Sequence, residues 1–272
     1  MSDRGVRLTD IEVGGVASQL ATAGPKDGAP ILYLHSERGI AQEMDFIAAL
    51  GTKGQVFAPV HPGYSQDAPG YFSRPDDLAY FHLEAMDRLG LERCTIVAAG
   101  LGSWVALELL TKANKAANSA FLVAPVGLKF SGRYDTEMVD IFAHTAEEVE
   151  ALAFENPALR RDNFGAMDEA DLTAVARARE ATARYAWLPY MHNPSLMHRL
   201  HRIKLPVTLI WGADDRINPS VNAASYNAAL PLARTEMLSG LGHFAHIEAP
   251  ETVAAKIDTT GSTNLHTETG AQ

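Results

Sequence analysis

One segment constrains the fold more than any other. Cys94-Thr95-Ile96-Val97-Ala98-Ala99-Gly100-Leu101-Gly102-Ser103-Trp104 reads as an apolar strand, a turn of small residues and the start of a helix. A strand that runs straight into a helix brings the two backbones close together, so the turn must be built from residues with little or no side chain. The unbroken apolar run before it suits a parallel strand buried on both faces.

The rest of the chain repeats this rhythm. Residues 6–13 and 16–22 read as a hairpin around Gly14-Gly15. Residues 31–35, 55–60, 120–126, 206–211 and 234–238 read as short buried strands. Between them, residues 41–50, 76–89, 104–110 and 250–257 have helical spacing, with Gly90 as a stop signal. Alternating strands and helices predict a parallel sheet covered on both faces. Residues 129–203 break the rhythm with a long helical pattern and no convincing strand. The expected organisation is therefore an α/β core from residues 1–128 and 204–258, and a helical cap over 129–203. The tail over 259–272 is small and polar and is expected to be mobile.

With 272 residues, 47% of them hydrophobic, the chain can bury a full core without cross-links. A single cysteine, Cys94, excludes an internal disulfide. A net charge of −10 and the lack of a basic stripe argue against nucleic acid as a partner. No apolar run approaches a membrane span, and Met1 to Thr9 is polar. The expectation is a cytoplasmic protein whose partner is a small-molecule substrate or ligand, with homo-oligomerisation left open.

Three motifs give this pattern a family resemblance. The turn at residues 98–104 resembles Gly-x-Ser-x-Gly followed by Gly and Trp, the nucleophile elbow of the α/β-hydrolase superfamily. Aligned on Leu101, Gly102 and Trp104, the nucleophile position is Gly100. Trp211-Gly212-Ala213-Asp214-Asp215-Arg216-Ile217-Asn218-Pro219 resembles the acid loop, with Asp215 as the carboxylate. Gly242-His243 followed by Glu248-Ala249-Pro250 resembles the histidine loop. The order Gly100, Asp215, His243 is the order of that fold. The resemblance implies an α/β-hydrolase fold, a mostly parallel twisted sheet of eight strands with a helical cap. The cap resembles that of carbon–carbon bond hydrolases and related esterases.

The site residues implied are the dyad His243 and Asp215, with Gly100 in place of the nucleophile. The backbone N–H groups of Glu37 and Leu101 stand as the oxyanion pair. Ser36, Arg38, Tyr185, Trp187 and Tyr190 are candidate substrate-binding residues. The loop His35-Ser36-Glu37-Arg38-Gly39 departs from the usual His-Gly-x-Gly-Gly, since Ser36 and Arg38 replace glycines and predict a reshaped loop. Glycine cannot form an acyl-enzyme. Ser103, three residues further on, falls inside the helix and out of reach. His192, His198 and His201 lack a completing acid or cysteine, so no metal is expected. The spacing after Gly102 does not fit a dinucleotide loop, so no cofactor is expected.

Three readings follow. One is a hydrolase-fold enzyme whose His–Asp dyad activates water or transfers a proton on a small apolar or acidic substrate, His243 acting as a neutral base near pH 6.5. Another is a ligand-binding protein without catalysis. The third is an ordinary serine hydrolase whose nucleophile has been exchanged for glycine.

Overall fold

Two strands with no exposed residue lie at the centre of the molecule: β3 (Pro30–Leu34) and β5 (Cys94–Ala99). They pair in parallel, Ile31 beside Thr95 and Leu34 beside Ala98. In the computed structural model, which describes residues 5–132 and 135–260, these strands organise an eight-stranded sheet. The others are β1 (Arg7–Val13), β2 (Val16–Ala23), β4 (Gln55–Pro59), β6 (Ala117–Val123), β7 (Val207–Gly212) and β8 (Ala233–Leu238). The order is β1-β2-β4-β3-β5-β6-β7-β8. Strand β2 is antiparallel to both its neighbours and the rest are parallel.

Helices α1 (Met44–Gly51), α2 (Pro75–Leu89) and α3 (Gly100–Lys112) belong to the core, as do α6 (Asn222–Ala229), α7 (Ala245–Glu248) and α8 (Pro250–Ala255). Local chemistry sets their ends. Pro75 opens α2, and the Asp77 carboxylate accepts from the Ser73 and Arg74 N–H groups; Gly90 closes the helix in the left-handed region at φ 64°. Helix α3 starts at Gly100 rather than at Trp104, because the glycine turn is already helical. Strand β6 ends at Val123, where Ala124 turns the chain out of the sheet at φ 41°.

The cap leaves the core after β6 and returns at β7. It carries α4 (Ala146–Ala153) and α5 (Glu169–Ala186). Thr145 and Glu148 form a reciprocal cap on α4. Helix α5 presents Ala178, Ala181, Thr182 and Tyr185 as one buried stripe at i, i+3, i+4 and i+7. That stripe lies on the core: Tyr64 and Thr182 share a hydroxyl hydrogen bond of 2.9 Å, and Tyr185 donates to the Pro62 carbonyl at 2.7 Å. Among the described cap residues there is no strand, only an isolated bridge between Gly127 and His192. Among the described residues no helix is long and apolar enough to cross a membrane. Most of the tail, residues 261–272, lies outside the described residues.

From β3 the chain crosses one way to β4, then back past β3 to β5. The crevice between the carboxyl ends of β3 and β5 is thus a topological switch point, where open α/β sheets bind ligands. The loop after β3 carries Glu37, and the turn after β5 carries Gly100 and Leu101.

Candidate active site

Asp215 sits in the loop after β7, and its carboxylate is held by four donors. Oδ1 accepts from the Ile217 and Asn218 N–H groups at 2.9 and 2.8 Å. Oδ2 accepts from Trp211 Nε1 at 3.1 Å and from His243 Nδ1 at 2.8 Å. This fixes one side of the imidazole, as an acid does in a triad. The neighbouring Asp214 is exposed and caps the turn by accepting from Gly240 N–H. The backbone N–H of His243 donates to Ala153 of α4, so the cap helps to set the histidine loop.

The other imidazole nitrogen points towards Gly100, where the Glu37 carboxylate fills the space that a side chain at residue 100 would enter. Glu37 Oε1 lies 3.2 Å from His243 Nε2, and Oε2 accepts from the Leu101 N–H at 2.9 Å. A Cβ built on Gly100 would collide with Oε2 of Glu37. Gly100 itself is at φ +47°, the strained elbow conformation. Glu37 and Leu101 therefore do meet, through the Glu37 side chain. The N–H expected to receive a substrate oxyanion holds an internal carboxylate.

Both imidazole nitrogens face carboxylate oxygens, which only accept, so both must donate and the ring is an imidazolium. Burial alone would lower the pKa of His243. The charge and hydrogen bond of Asp215, reinforced by Glu37, instead raise it to about 10. Burial alone would likewise raise Glu37, but the hydrogen bond and charge of His243 and the Leu101 N–H hold it below the ordinary glutamate value. A neutral histidine base titrating near 6.5 is not what this arrangement provides.

The remaining candidates are dispersed. Ser36 is fully buried beside Gly100, its hydroxyl and N–H both bonded to Glu43, which also takes the Tyr33 hydroxyl at 2.6 Å and His246 Nε2 at 3.1 Å. Arg38 borders the crevice, but its guanidinium pairs with Glu150 of α4 and packs over the neighbouring Phe154 and Phe244 rings, 5.3 Å from each centroid. Only Gly39 in this loop has positive φ, so Ser36 and Arg38 need no glycine geometry. Tyr185 is spent on Pro62. Tyr190 bonds Val139 and Ile141 inside the cap, and Trp187 is 56% exposed against Phe142. None of the three lines the cavity next to His243.

That cavity, about 80 Å³, lies under the cap between Glu37 and His243. Its walls are mainly Ile141, Phe142, Val149, Phe164, Val175 and Phe244, with Arg161 and Arg179 also lining it. Ser103 is buried in α3 with its hydroxyl on the Val123 carbonyl, away from the dyad. Cys94 is buried at the far end of β5, and burial pushes its thiol up to about 12. Among the described residues, no group of three or more His, Cys, Asp or Glu is arranged to hold a metal ion. The Glu37 side chain is the participant that sequence reasoning missed. The available signal was an acid in the loop after β3 together with glycine at the elbow.

Fold and site define an α/β protein in which a buried His243–Asp215 pair meets the Glu37 carboxylate beside Gly100. A model of the alpha/beta hydrolase family matches residues 31–256, and the chain belongs to that family. Solved structures agree. A serine hydrolase from the polyaromatic-hydrocarbon-degrading Cycloclasticus zankles superposes with a TM-score of 0.75 at 19% identity, covering 92% of this chain and 96% of that one. The 2-hydroxy-6-oxo-6-phenylhexa-2,4-dienoate hydrolase of Rhodococcus sp. strain RHA1 gives 0.70 at 20%, covering 92% and 97%. Naproxen esterase from Bacillus subtilis gives 0.69 at 17%, covering 92% and 89%. Identities this low establish a shared fold.

Proposed function

We propose that this protein is a hydrolase that works without a serine acyl-enzyme. His243 and Asp215 drive acid–base chemistry on a small, largely apolar substrate bound under the cap. The observation that carries this reading is the dyad itself, a buried histidine held at 2.8 Å by a four-donor carboxylate and aimed at the elbow. A purely structural pair has no need to face the switch-point crevice and its apolar cavity. The structures sharing the fold include a 2-hydroxy-6-oxo-6-phenylhexa-2,4-dienoate hydrolase and a naproxen esterase, and an aromatic acyl compound suits such a cavity. The same relatives make small apolar acyl compounds the first substrates to try.

The test is a panel of small esters, thioesters and dienoates, with a serine-reactive phosphonate alongside. The expected result is turnover that His243→Ala abolishes, with no phosphonate label on the chain. Stoichiometric labelling, or turnover indifferent to His243→Ala, would rule the reading out.

One observation favours a second reading, a ligand-binding protein. Glu37 already fills the Leu101 N–H and the space over Gly100, as a bound anion would. Tight binding without turnover across the panel would favour it. A bare serine-to-glycine exchange is the least supported reading, because a seryl Cβ and Glu37 cannot share the space as it stands.

A further inference from the structure

We infer that the side chain of Glu37 is the catalytic base of this centre, with His243 as its paired acid, and that the reaction is hydrolysis by direct attack of water on a small acyl ester. This rests on the function proposed above and assigns its chemistry. A base needs a lone pair that faces the substrate. His243 has none at rest, since both ring nitrogens donate to carboxylates. Asp215 is saturated by four donors and lies behind the ring. Two carboxylates border the cavity together with His243, Glu37 and Glu150, and Glu150 is paired with Arg38 and lies outside hydrogen-bond contact with the dyad, which leaves Glu37. Its Oε2 is anchored on the Leu101 N–H, which leaves Oε1 to exchange protons.

The surroundings keep that role open. Arg38, the cation on the same loop, is paired with Glu150 of α4 and packed against two neighbouring phenyl rings, so it does not quench Glu37. Arg161 and Arg179 lie on the cap side of the cavity, and Arg161 pairs with Asp171. Behind the loop, Glu43 is taken up by His246 Nε2, Ser36 and the Tyr33 hydroxyl, and Tyr64 is tied to Thr182. Gly100 is what allows the arrangement, because any side chain there would evict Glu37.

The step balances within the centre. Glu37 takes a proton from water as the water oxygen bonds to the acyl carbon, and the carbonyl pair moves onto oxygen beside the imidazolium. The carbon–alkoxy bond then breaks, and the departing oxygen takes the proton from His243 Nε2. The proton on Glu37 passes to His243 across their 3.2 Å contact and restores the pair. Ester and water give acid and alcohol, and nothing is bonded to the protein at any stage.

The experiment uses 4-nitrophenyl butyrate with wild type, Glu37→Gln, Glu37→Gly, His243→Ala and, as a control remote from the cavity, Ser103→Ala. Thermal melts check folding of each. Glu37→Gln should lose about 10²- to 10⁴-fold in kcat, the usual worth of a positioned base. Glu37→Gly should be partly rescued by added formate, whose carboxylate fits the space vacated; a structural role would show no such rescue. After many turnovers in oxygen-18 water, the peptide containing Glu37 should carry no label. Label in Glu37 would make it a covalent nucleophile and overturn the assignment. So would a wild type that needs His243 while Glu37→Gln keeps its rate within about threefold. Absence of wild-type turnover overturns the proposed function and this inference together.

Discussion

Gly100 and Glu37 should behave as one unit, and Gly100→Ser tests this directly. A Cβ at residue 100 collides with Glu37 Oε2, so the carboxylate must leave both the Leu101 N–H and His243. Hydrogen bonds to charged groups are worth about 1.5–3 kcal/mol each. A serine held at φ +47° adds roughly 1–2 kcal/mol of left-handed strain. Gly100→Ser should therefore destabilise the fold by about 4 kcal/mol or more in urea unfolding. Glu37→Ala alone loses the same two bonds without the backbone strain and should cost about 3 kcal/mol. The double variant should be more stable than the sum of the two by about 2 kcal/mol, since the displaced carboxylate is gone. With the carboxylate displaced or removed, the Leu101 N–H is open in both serine variants and His243 has a serine to activate, so both should be labelled by a serine-reactive phosphonate. Additive stabilities, or a Gly100→Ser chain that the phosphonate does not label, would refute the placement of Glu37.

Other expectations follow from the same contacts. Asp215→Asn turns one acceptor edge into a donor against Trp211 and His243; it should cost about 3–5 kcal/mol and move the His243 titration, read by ring nitrogen NMR, well below about 10. Thermal stability should fall on both sides of about pH 6.5. On the acid side, burial, with neighbouring histidines adding to it, holds His61 and His82 below 6.5, His82 down to about 3, so the unfolded chain takes up protons that the fold refuses. On the alkaline side, the raised His243 contributes fully below 6.5 and loses that contribution as pH climbs towards about 10. A melting temperature flat from pH 6.5 to 5 would count against the acid half. Glu150→Ala leaves the Arg38 guanidinium unpaired against Phe154 and Phe244, and should cost about 3 kcal/mol and speed limited proteolysis in the cap; an unchanged cleavage rate would show that the pair does not hold the cap.

What the sequence made legible was whatever depends on local pattern. The apolar runs at β3, β5 and β7 place the strands by their pattern, while the glycine turn at residues 100–102 and the Trp211–Asp215 and Gly242–His243 loops point to the dyad through their resemblance to α/β-hydrolase motifs. Side-chain direction in loops was not legible. Whether Glu37 points into the crevice depends on a space that Gly100 leaves 63 positions downstream and on an N–H from Leu101. Aromatic content drew attention to Tyr185, Trp187 and Tyr190, yet their polar ends bond within the cap and core or meet solvent, while Phe142, Phe164 and Phe244 line the cavity. The same holds for His35, His61 and His82. Their neutral tautomers fit together as a chain, His82 Nε2–H to His61 Nδ1, His61 Nε2–H to the His35 carbonyl, and the His61 N–H to His35 Nε2. No sequence spacing suggests it.

A proton count ties the two halves of the centre together. A serine triad at rest holds one carboxylate, a neutral imidazole and a neutral hydroxyl, for a net charge of −1. Here Asp215, the His243 imidazolium and Glu37 also sum to −1, with one more anion and one more proton. That distribution, an imidazolium facing an anion that is seated on the elbow N–H, is the one a serine enzyme reaches only at its tetrahedral intermediate. The donors that would otherwise stabilise a transient oxyanion are committed to a permanent one. The site can gain little by stabilising an acyl-transfer oxyanion at Leu101. What it holds ready instead is a separated acid and base, 3.2 Å apart at the edge of an apolar cavity. Such a pair accelerates reactions in which one proton leaves as another arrives, and direct hydration of an acyl group is the member of that class that membership of a hydrolase family favours.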